Sequence, residues 1–144
     1  MALLAAGVLS AARPAGAALG DSLVTVQADQ VHLKGTLRTV AMPGYLLHEI
    51  QTPTGILVRE FSSPAGTIFG VSWAGPFLPD LQHLLGASYD SYVQAARNRR
   101  RGRGPLLLRL PELVFESTGH ARNFHGRAFV PQLLPDGVPS DGIR

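Results

Sequence analysis

Five arginines within seven residues form the densest group of charged side chains in this sequence. A guanidinium donates paired hydrogen bonds to a phosphate or carboxylate, so such a cluster can hold an anionic partner. Three interpretations stay open: a solvated loop, a site for an anionic envelope component or membrane surface, and a nucleic-acid site. No aromatic residues are interleaved for base stacking, which argues against nucleic acid. The five residues are Arg97, Arg99, Arg100, Arg101 and Arg103.

The histidines do not form a recognisable metal site. His48 and Glu49 begin like the helical motif of zinc proteases, but Thr52 stands where the second histidine is required. His120 and His125 are five residues apart on a predicted hairpin, and strand alternation sends them to opposite faces unless the turn ends between them. Residues 102–104 (Gly-Arg-Gly) lack the lysine and hydroxyl of a phosphate-binding loop. The sequence therefore predicts neither a metal nor a cofactor.

Nucleophilic catalysis also has no motif here. The chain contains no cysteine, which excludes a thiolate nucleophile and a disulfide framework. No serine lies in a Gly-x-Ser-x-Gly elbow. An enzyme would have to assemble its site from scattered residues such as His48, Glu49 and Glu60, and a hydrolase of that kind is kept as an alternative.

The N-terminus predicts export. Residues 2–12 are rich in alanine and leucine, and residues 15–17 (Ala-Gly-Ala) have the small-x-small pattern that signal peptidase accepts. We interpret residues 1–17 as a removable signal peptide, and its apolar run, residues 2–12, is too short to span a bilayer. An alanine-rich first helix of the folded domain is the alternative. The remainder divides into a single domain, residues 18–130, and a Pro/Gly-rich tail, residues 131–144.

A strand-and-turn sequence pattern occurs twice in succession, in residues 51–61 and 62–72. Each copy has Pro-x-Gly between runs rich in β-branched and aromatic residues. This pattern predicts tight reversals between antiparallel strands at residues 45–52, 56–61 and 67–74. Phe69, Val71 and Trp73 should share one face of the third strand. Gly70 and Ser72 leave the opposite face small enough to receive another element or a ligand.

One amphipathic helix is predicted over residues 81–96, with Asp80 as its N-cap and Gly86 as a point where it docks closely or bends. Strands follow at residues 106–110, 113–117 and 123–130. Residues 22–33 fit a strand or a weak helix equally well, and residues 35–44 read as a loop. These elements predict an α+β fold: an antiparallel sheet, made of a three-stranded meander plus a C-terminal hairpin, with one amphipathic helix packed across it.

Several phrases together resemble a bacterial family known as domain of unknown function 2844. They are Val-Arg-Glu-Phe at residues 58–61, Ser-Pro-Ala-Gly at 63–66, Phe-Gly-Val-Ser-Trp at 69–73, Gly-Pro-Phe-Leu-Pro-Asp at 75–80 and Val-Pro-Gln-Leu-Leu-Pro at 130–135. The resemblance implies a short exported protein, periplasmic or secreted. It brings no catalytic residue with it, because the family has no assigned activity.

The leading functional hypothesis is a non-enzymatic exported domain that binds an envelope protein, a polysaccharide or an anionic surface. The alternatives are the motif-free hydrolase and a cytoplasmic nucleic-acid binder that uses the arginine cluster. The last requires the N-terminal segment to be retained.

Overall fold

The computed structural model describes residues 19–99, 102 and 104–144, and the strands of this part form one antiparallel sheet. Their bounds are β1 Thr36–Met42, β2 Tyr45–Gln51, β3 Leu57–Ser62, β4 Ile68–Gly75, β5 Leu106–Arg109, β6 Val114–His120 and β7 Asn123–Phe129. The seven strands are hydrogen-bonded in the order β1-β2-β3-β4-β7-β6-β5. The two outer strands are therefore β1 and β5.

The predicted fold class was wrong. A meander and a separate hairpin were expected, but β7 pairs with β4 and joins both halves in a single sheet. In addition, β1 occupies residues that were predicted as a loop. Pro43 and Gly44, the last residues of that predicted loop, form a two-residue connection between β1 and β2, with Met42 paired to Tyr45 and Gly44 at a φ of 85°. The protein is mostly sheet, whereas the individual strands predicted at β2 to β7 are present.

The helices lie on one face of this sheet, which we call the helix face. The predicted helix over residues 81–96 is broken at Gly86, which has a φ of 47° and opens a 3-10 turn. Its two parts are α2, Leu81–Leu85, and α3, Tyr89–Asn98. Asp80 caps α2 as predicted, accepting a hydrogen bond from the main-chain nitrogen of His83 at 3.1 Å. Buried residues of the helix face include Ile50, Val58, Val71, Trp73, Leu84, Leu85, Leu113 and Phe115.

The segment whose type the sequence left open contains a helix, α1, over Thr25–His32. Val26 and Asp29 are its buried residues, while Val24 and Val31 are exposed. An eight-residue helix is too short to be stable alone, so α1 depends on what these two side chains contact. Val26 provides an apolar contact, and Asp29 provides a polar one.

The opposite face, which we call the tail face, is covered in part by the C-terminal segment, residues 130–144. Leu133 and Leu134 pack there beside a second buried cluster that contains Phe61, Phe69 and Ile143. Phe69 was expected on the face of Val71 and Trp73. A register shift in the pairing of β3 with β4, between Phe61 and Ser62, accounts for its place in the other cluster.

The C-terminal segment packs on the small residues of β4. The sequence predicted that this small face would receive another element or a ligand, and it receives an element. A Cβ added to Gly70 would lie 2.9 Å from Cδ1 of Ile143, so only glycine leaves room for that fully buried side chain. The predicted tail is thus folded against the sheet.

The predicted signal peptide, residues 1–17, lies outside the described residues. Within residues 19–99, 102 and 104–144, no helix has the length and apolar composition needed to cross a membrane.

Candidate functional site

An open groove of about 620 Å³ lies on the tail face, where the sheet is not covered by the C-terminal segment. Three cross-strand partners from β4, β7 and β6 line it: Ala74, His125 and Thr118. Leu107 of β5 closes one side and Ile143 the other. The groove therefore combines an apolar lining with a few polar groups, which is typical of ligand sites.

A row of charged side chains crosses the tail face because the strand register aligns them, and its Glu116 and Arg127 line the groove. Glu49 is paired with Arg59 across β2 and β3, and Glu116 with Arg127 across β6 and β7. Arg59 Nε donates to Glu49 at 3.0 Å, and Arg127 Nε donates to Glu116 at 2.8 Å. The Arg127 guanidinium holds the pKa of Glu116 below its usual range. Glu116 is therefore an ionised carboxylate near neutral pH.

The same arginines hold the C-terminal segment in place. Arg127 Nη1 donates to the main-chain oxygen of Ser140 at 2.9 Å, and Arg59 Nη1 donates to that of Arg144 at 3.1 Å. Each guanidinium thus joins a carboxylate of the sheet to a carbonyl of the segment. The C-terminal segment, which forms one wall of the groove, is therefore held by Arg59 and by the groove residue Arg127.

Two cations near the groove face solvent. The side chain of Arg109, at the end of β5, is 72% exposed and lies 4.0 Å from Glu116. Arg144 is exposed, and its Nε donates to the main-chain oxygen of Asp141 at 2.9 Å. Arg127 neutralises Glu116, so these two guanidiniums give the groove a positive rim.

A second group of polar side chains lies on the helix face, and its histidine, His48, is buried. His48 Nδ1 is 3.0 Å from Thr39 Oγ1, and His48 Nε2 is 2.9 Å from Ser62 Oγ. Burial lowers the pKa of His48, which favours the neutral imidazole. A serine hydrogen-bonded to a histidine resembles a nucleophile and its base. However, Ser62 is 0% exposed and His48 is 3% exposed, so a substrate has no access to them.

A buried carboxyl pair lies beside this histidine. Glu60 is the cross-strand partner of His48 and, like Asp29 of α1, is 0% exposed. Burial, a hydrogen bond with Asp29 and the charge of Asp29 raise the pKa of Glu60 to about 10. Burial beside the charge of Asp29 therefore favours the protonated, neutral form of Glu60.

The carboxyl pair is connected to the protein surface through two histidines. His83 Nε2 donates to Asp29 Oδ1. The ring of His83 stacks on that of His32, with 3.8 Å between centroids and 11° between planes. His32 Nε2 in turn lies 3.6 Å from Asp80 Oδ2. The network ties α1 to α2 and to the sheet, so its geometry serves to dock the helices.

This arrangement does not form the active site that the hydrolase alternative requires. His48 and Glu60 lie side by side, as it requires, but both are buried. Glu49 is on the tail face, paired with Arg59. His120 and His125 line different cavities. In the described part of the chain, no three histidine, cysteine or acidic residues are placed to hold a metal ion.

The arginine cluster is described only in part. Arg97 and Arg99 are exposed at the end of α3. Arg99 Nη2 donates to the main-chain oxygen of Pro105 at 2.7 Å, which links the helix end to the start of β5. Arg100, Arg101 and Arg103 lie outside the described residues.

Sequence reasoning missed the groove, although two signals for it were present. Alternation places Glu116 with Thr118, and His125 with Arg127, on one face of their strands. Their mutual pairing depends on hairpin register, which a sequence without an obvious two-residue turn does not specify.

The profile of the family described as protein of unknown function DUF2844 matches residues 15–143. The chain belongs to this family. The resemblance seen in the sequence is thereby confirmed, and it extends from the predicted cleavage site to the last turn of the C-terminal segment. No curated protein and no solved structure matches the chain.

Proposed function

We propose that this DUF2844 protein is a non-enzymatic exported domain that binds an extended, acidic segment of an envelope protein in the tail-face groove. The observation that supports this proposal is the difference in solvent access between the groove and the buried polar cluster. The groove is open to solvent, whereas Ser62, His48 and Glu60, the neighbouring serine, histidine and carboxyl groups of the helix face, are buried. A binding function needs the first feature, and a hydrolase would need the second group exposed.

The choice of an extended polypeptide follows from the position of the groove. It borders β5, an outer strand of the sheet whose pairing in the described residues is with β6. An outer strand offers main-chain donors and acceptors for an added strand, while the groove receives alternate side chains. Leu107 of β5, 45% exposed, and Ala74 provide apolar contacts for such side chains.

The choice of an acidic partner follows from the rim. Arg144 lines the groove, and Arg109 lies 4.0 Å from Glu116. Among the described lining residues Glu116 has the one carboxylate side chain, and Arg127 neutralises it. Carboxylates on the partner would form charge-assisted hydrogen bonds with these guanidiniums. Export to the envelope is supported by the N-terminal pattern at residues 1–17.

The proposal is tested with blocked pentapeptides of alternating sequence, Leu-Glu-Leu-Glu-Leu and its lysine counterpart, titrated into the full chain by calorimetry. We expect the acidic peptide to bind and the lysine peptide to bind at least about tenfold more weakly. Replacing the two glutamates by lysines turns attraction to the arginines at the rim into repulsion. Leu107→Asp should abolish binding of the acidic peptide.

Arg109→Gln should weaken the acidic peptide by about fivefold, as expected for one exposed charge pair. Arg38→Gln is the matched control, because Arg38 is an exposed arginine on the other outer strand, β1. Equal affinity for both peptides, or equal effects of the two arginine variants, would contradict the proposal.

A further inference from the structure

We propose that a second cavity, which lies on the helix face, binds a neutral sugar ring. Its volume is about 470 Å³, within the range of about 300–1,000 Å³ that small-molecule sites occupy. Tyr92 of α3 and Phe115 of β6 line it, and both belong to the core of the helix face. The inference does not depend on the proposed peptide site, because Tyr92, His120 and Phe124 line this cavity and not the groove.

Aromatic rings form the apolar part of the cavity. Phe124 lies over the main chain of Gly119, where an added Cβ would be 2.5 Å from Cδ1 of the ring. Tyr92 packs against Phe115, with 4.6 Å between ring centroids and 44° between planes. Phe115 is fully buried, whereas Tyr92 and Phe124 are partly exposed. The cavity therefore has two aromatic rings that are held in place and remain accessible to a ligand.

Three polar side chains at the cavity are free to bind a ligand. Tyr92, Ser117 and His120 line it, and within residues 19–99, 102 and 104–144 their side chains form no hydrogen bond. A hydroxyl and a neutral imidazole each offer a donor and an acceptor. Burial, and then the neighbouring Tyr89, raises the pKa of Tyr92. The Tyr92 hydroxyl therefore keeps its proton near neutral pH and can donate it to a ligand oxygen.

This combination favours a sugar over a charged or a purely apolar ligand. None of the described residues that line the cavity is Asp, Glu, Lys or Arg, so a charged ligand would lose its hydration without gaining an ion pair. A purely apolar ligand would leave three polar side chains without partners. A pyranose ring has C–H groups that pack on an aromatic face, and hydroxyls at its edge that form hydrogen bonds. It therefore matches both parts of the cavity.

The test is chemical-shift mapping of the isotope-labelled full chain with three neutral sugars: methyl β-glucopyranoside, methyl β-galactopyranoside and methyl N-acetyl-β-glucosaminide. We expect at least one of them to bind with a dissociation constant of about 10 mM or below, since a single ring makes few contacts. The shifted amides should include Gly119, His120 and Phe124. Methyl β-glucuronide, as the charged probe, and benzene, as the apolar probe, should bind at least about tenfold more weakly.

Three variants address the two parts of the cavity separately. Phe124→Leu keeps an apolar side chain but removes the flat ring, and it should weaken sugar binding by about tenfold. Tyr92→Phe keeps the ring and removes one hydroxyl, so it should weaken binding by about fivefold, as expected for one hydrogen bond. His120→Ala removes an exposed side chain and should have a similar effect.

Two matched controls use residues of the same types outside the cavity. Tyr89→Phe removes the hydroxyl of the tyrosine that packs beside Tyr92, and His125→Ala removes a histidine that lines the groove. Both should bind the sugar within about twofold of the unaltered chain, because neither side chain lines the cavity. Both tyrosine variants keep their rings, so thermal unfolding should show that they fold like the unaltered chain.

Several results would overturn the inference. The first is that none of the three sugars shifts the cavity amides, and the second is that Tyr92→Phe and Tyr89→Phe weaken binding equally. Stronger binding of methyl β-glucuronide or benzene would also contradict a neutral sugar site. Sugar-induced shifts centred on His125 and Arg127 would place the sugar in the groove instead.

Discussion

The two faces of the sheet carry similar polar side chains in opposite relation to water. On the helix face, His48, Glu60 and Asp29 are buried; His48 is hydrogen-bonded to Ser62, and Asp29 accepts from His83. On the tail face, Glu116 and Arg127 border an open groove. The difference teaches that the side-chain types do not by themselves indicate function. Residues suited to catalysis stabilise the fold here, and ordinary ion pairs shape the accessible site.

Removing Asp29 should cause the largest loss of stability. Asp29 is fully buried, accepts from His83 and helps to raise the pKa of Glu60. Asp29→Ala should lower the free energy of unfolding by about 2–4 kcal/mol, because its partners lose a buried hydrogen bond. Chemical denaturation measures this loss, and Asp29→Asn, which keeps an acceptor oxygen, should lose less. A loss below about 0.5 kcal/mol would contradict a structural role for the buried cluster.

Glu60 should make stability fall as the pH rises. Its pKa is raised to about 10, so between about 4.5 and 10 the folded state binds a proton that the unfolded state releases. Stability from this group is therefore present below pH 4.5 and declines above it, by at most about 1.4 kcal/mol per pH unit.

Glu60→Gln mimics the protonated side chain and should remove this contribution. The free energy of unfolding of the variant, relative to the unaltered chain, should rise between pH 5 and pH 9. Parallel pH profiles for the two proteins would show that Glu60 is ionised in the fold.

Glu116 should have the opposite pH dependence. Arg127 lowers the pKa of Glu116, so its contribution is present above the ordinary range of a carboxyl group and is lost as the pH falls through the folded value. The pair is partly exposed, and Glu116→Gln should cost about 0.5–1 kcal/mol at pH 7. Denaturation at pH 7 and pH 3 measures both values. A cost that does not shrink in acid would contradict the ion pair.

Substitutions in the groove should have the smallest effect on stability. Thr118→Ala and Leu107→Ser alter exposed residues and should change the free energy of unfolding by about 0.5 kcal/mol or less. Thermal unfolding checks this directly. A loss comparable to that of Asp29→Ala would mean that the groove is part of the core rather than a site.

The strands could be predicted from sequence because their alternation and turn residues are local signals. Residues 45–52, 56–61 and 67–74 were assigned correctly for this reason. The pairing of β4 with β7 was not predictable in the same way, because it joins residues that are about fifty positions apart. The outer strand β1 was missed because Pro43 and Gly44 were interpreted as the interior of a loop rather than as a hairpin connection.

The site could be predicted only in part. Gly70 and Ser72 correctly indicated a receptive face on β4, yet its occupant, Ile143, comes from a segment that the sequence marked only as a Pro/Gly-rich tail. His48 and Glu60 were noted as candidates for a hydrolase site, but both are buried. Their burial depends on α1, a helix with too weak a pattern to be assigned from sequence.

Chemical-shift mapping of the acidic pentapeptide on the isotope-labelled full chain tests the central claim most directly. The account predicts that the perturbed amides cluster at the groove, around Leu107, Thr118 and His125, while those of His48 and Ser62 stay unchanged. Perturbation centred on His48 and Ser62, with the groove silent, would contradict the account and place the functional site in the buried cluster.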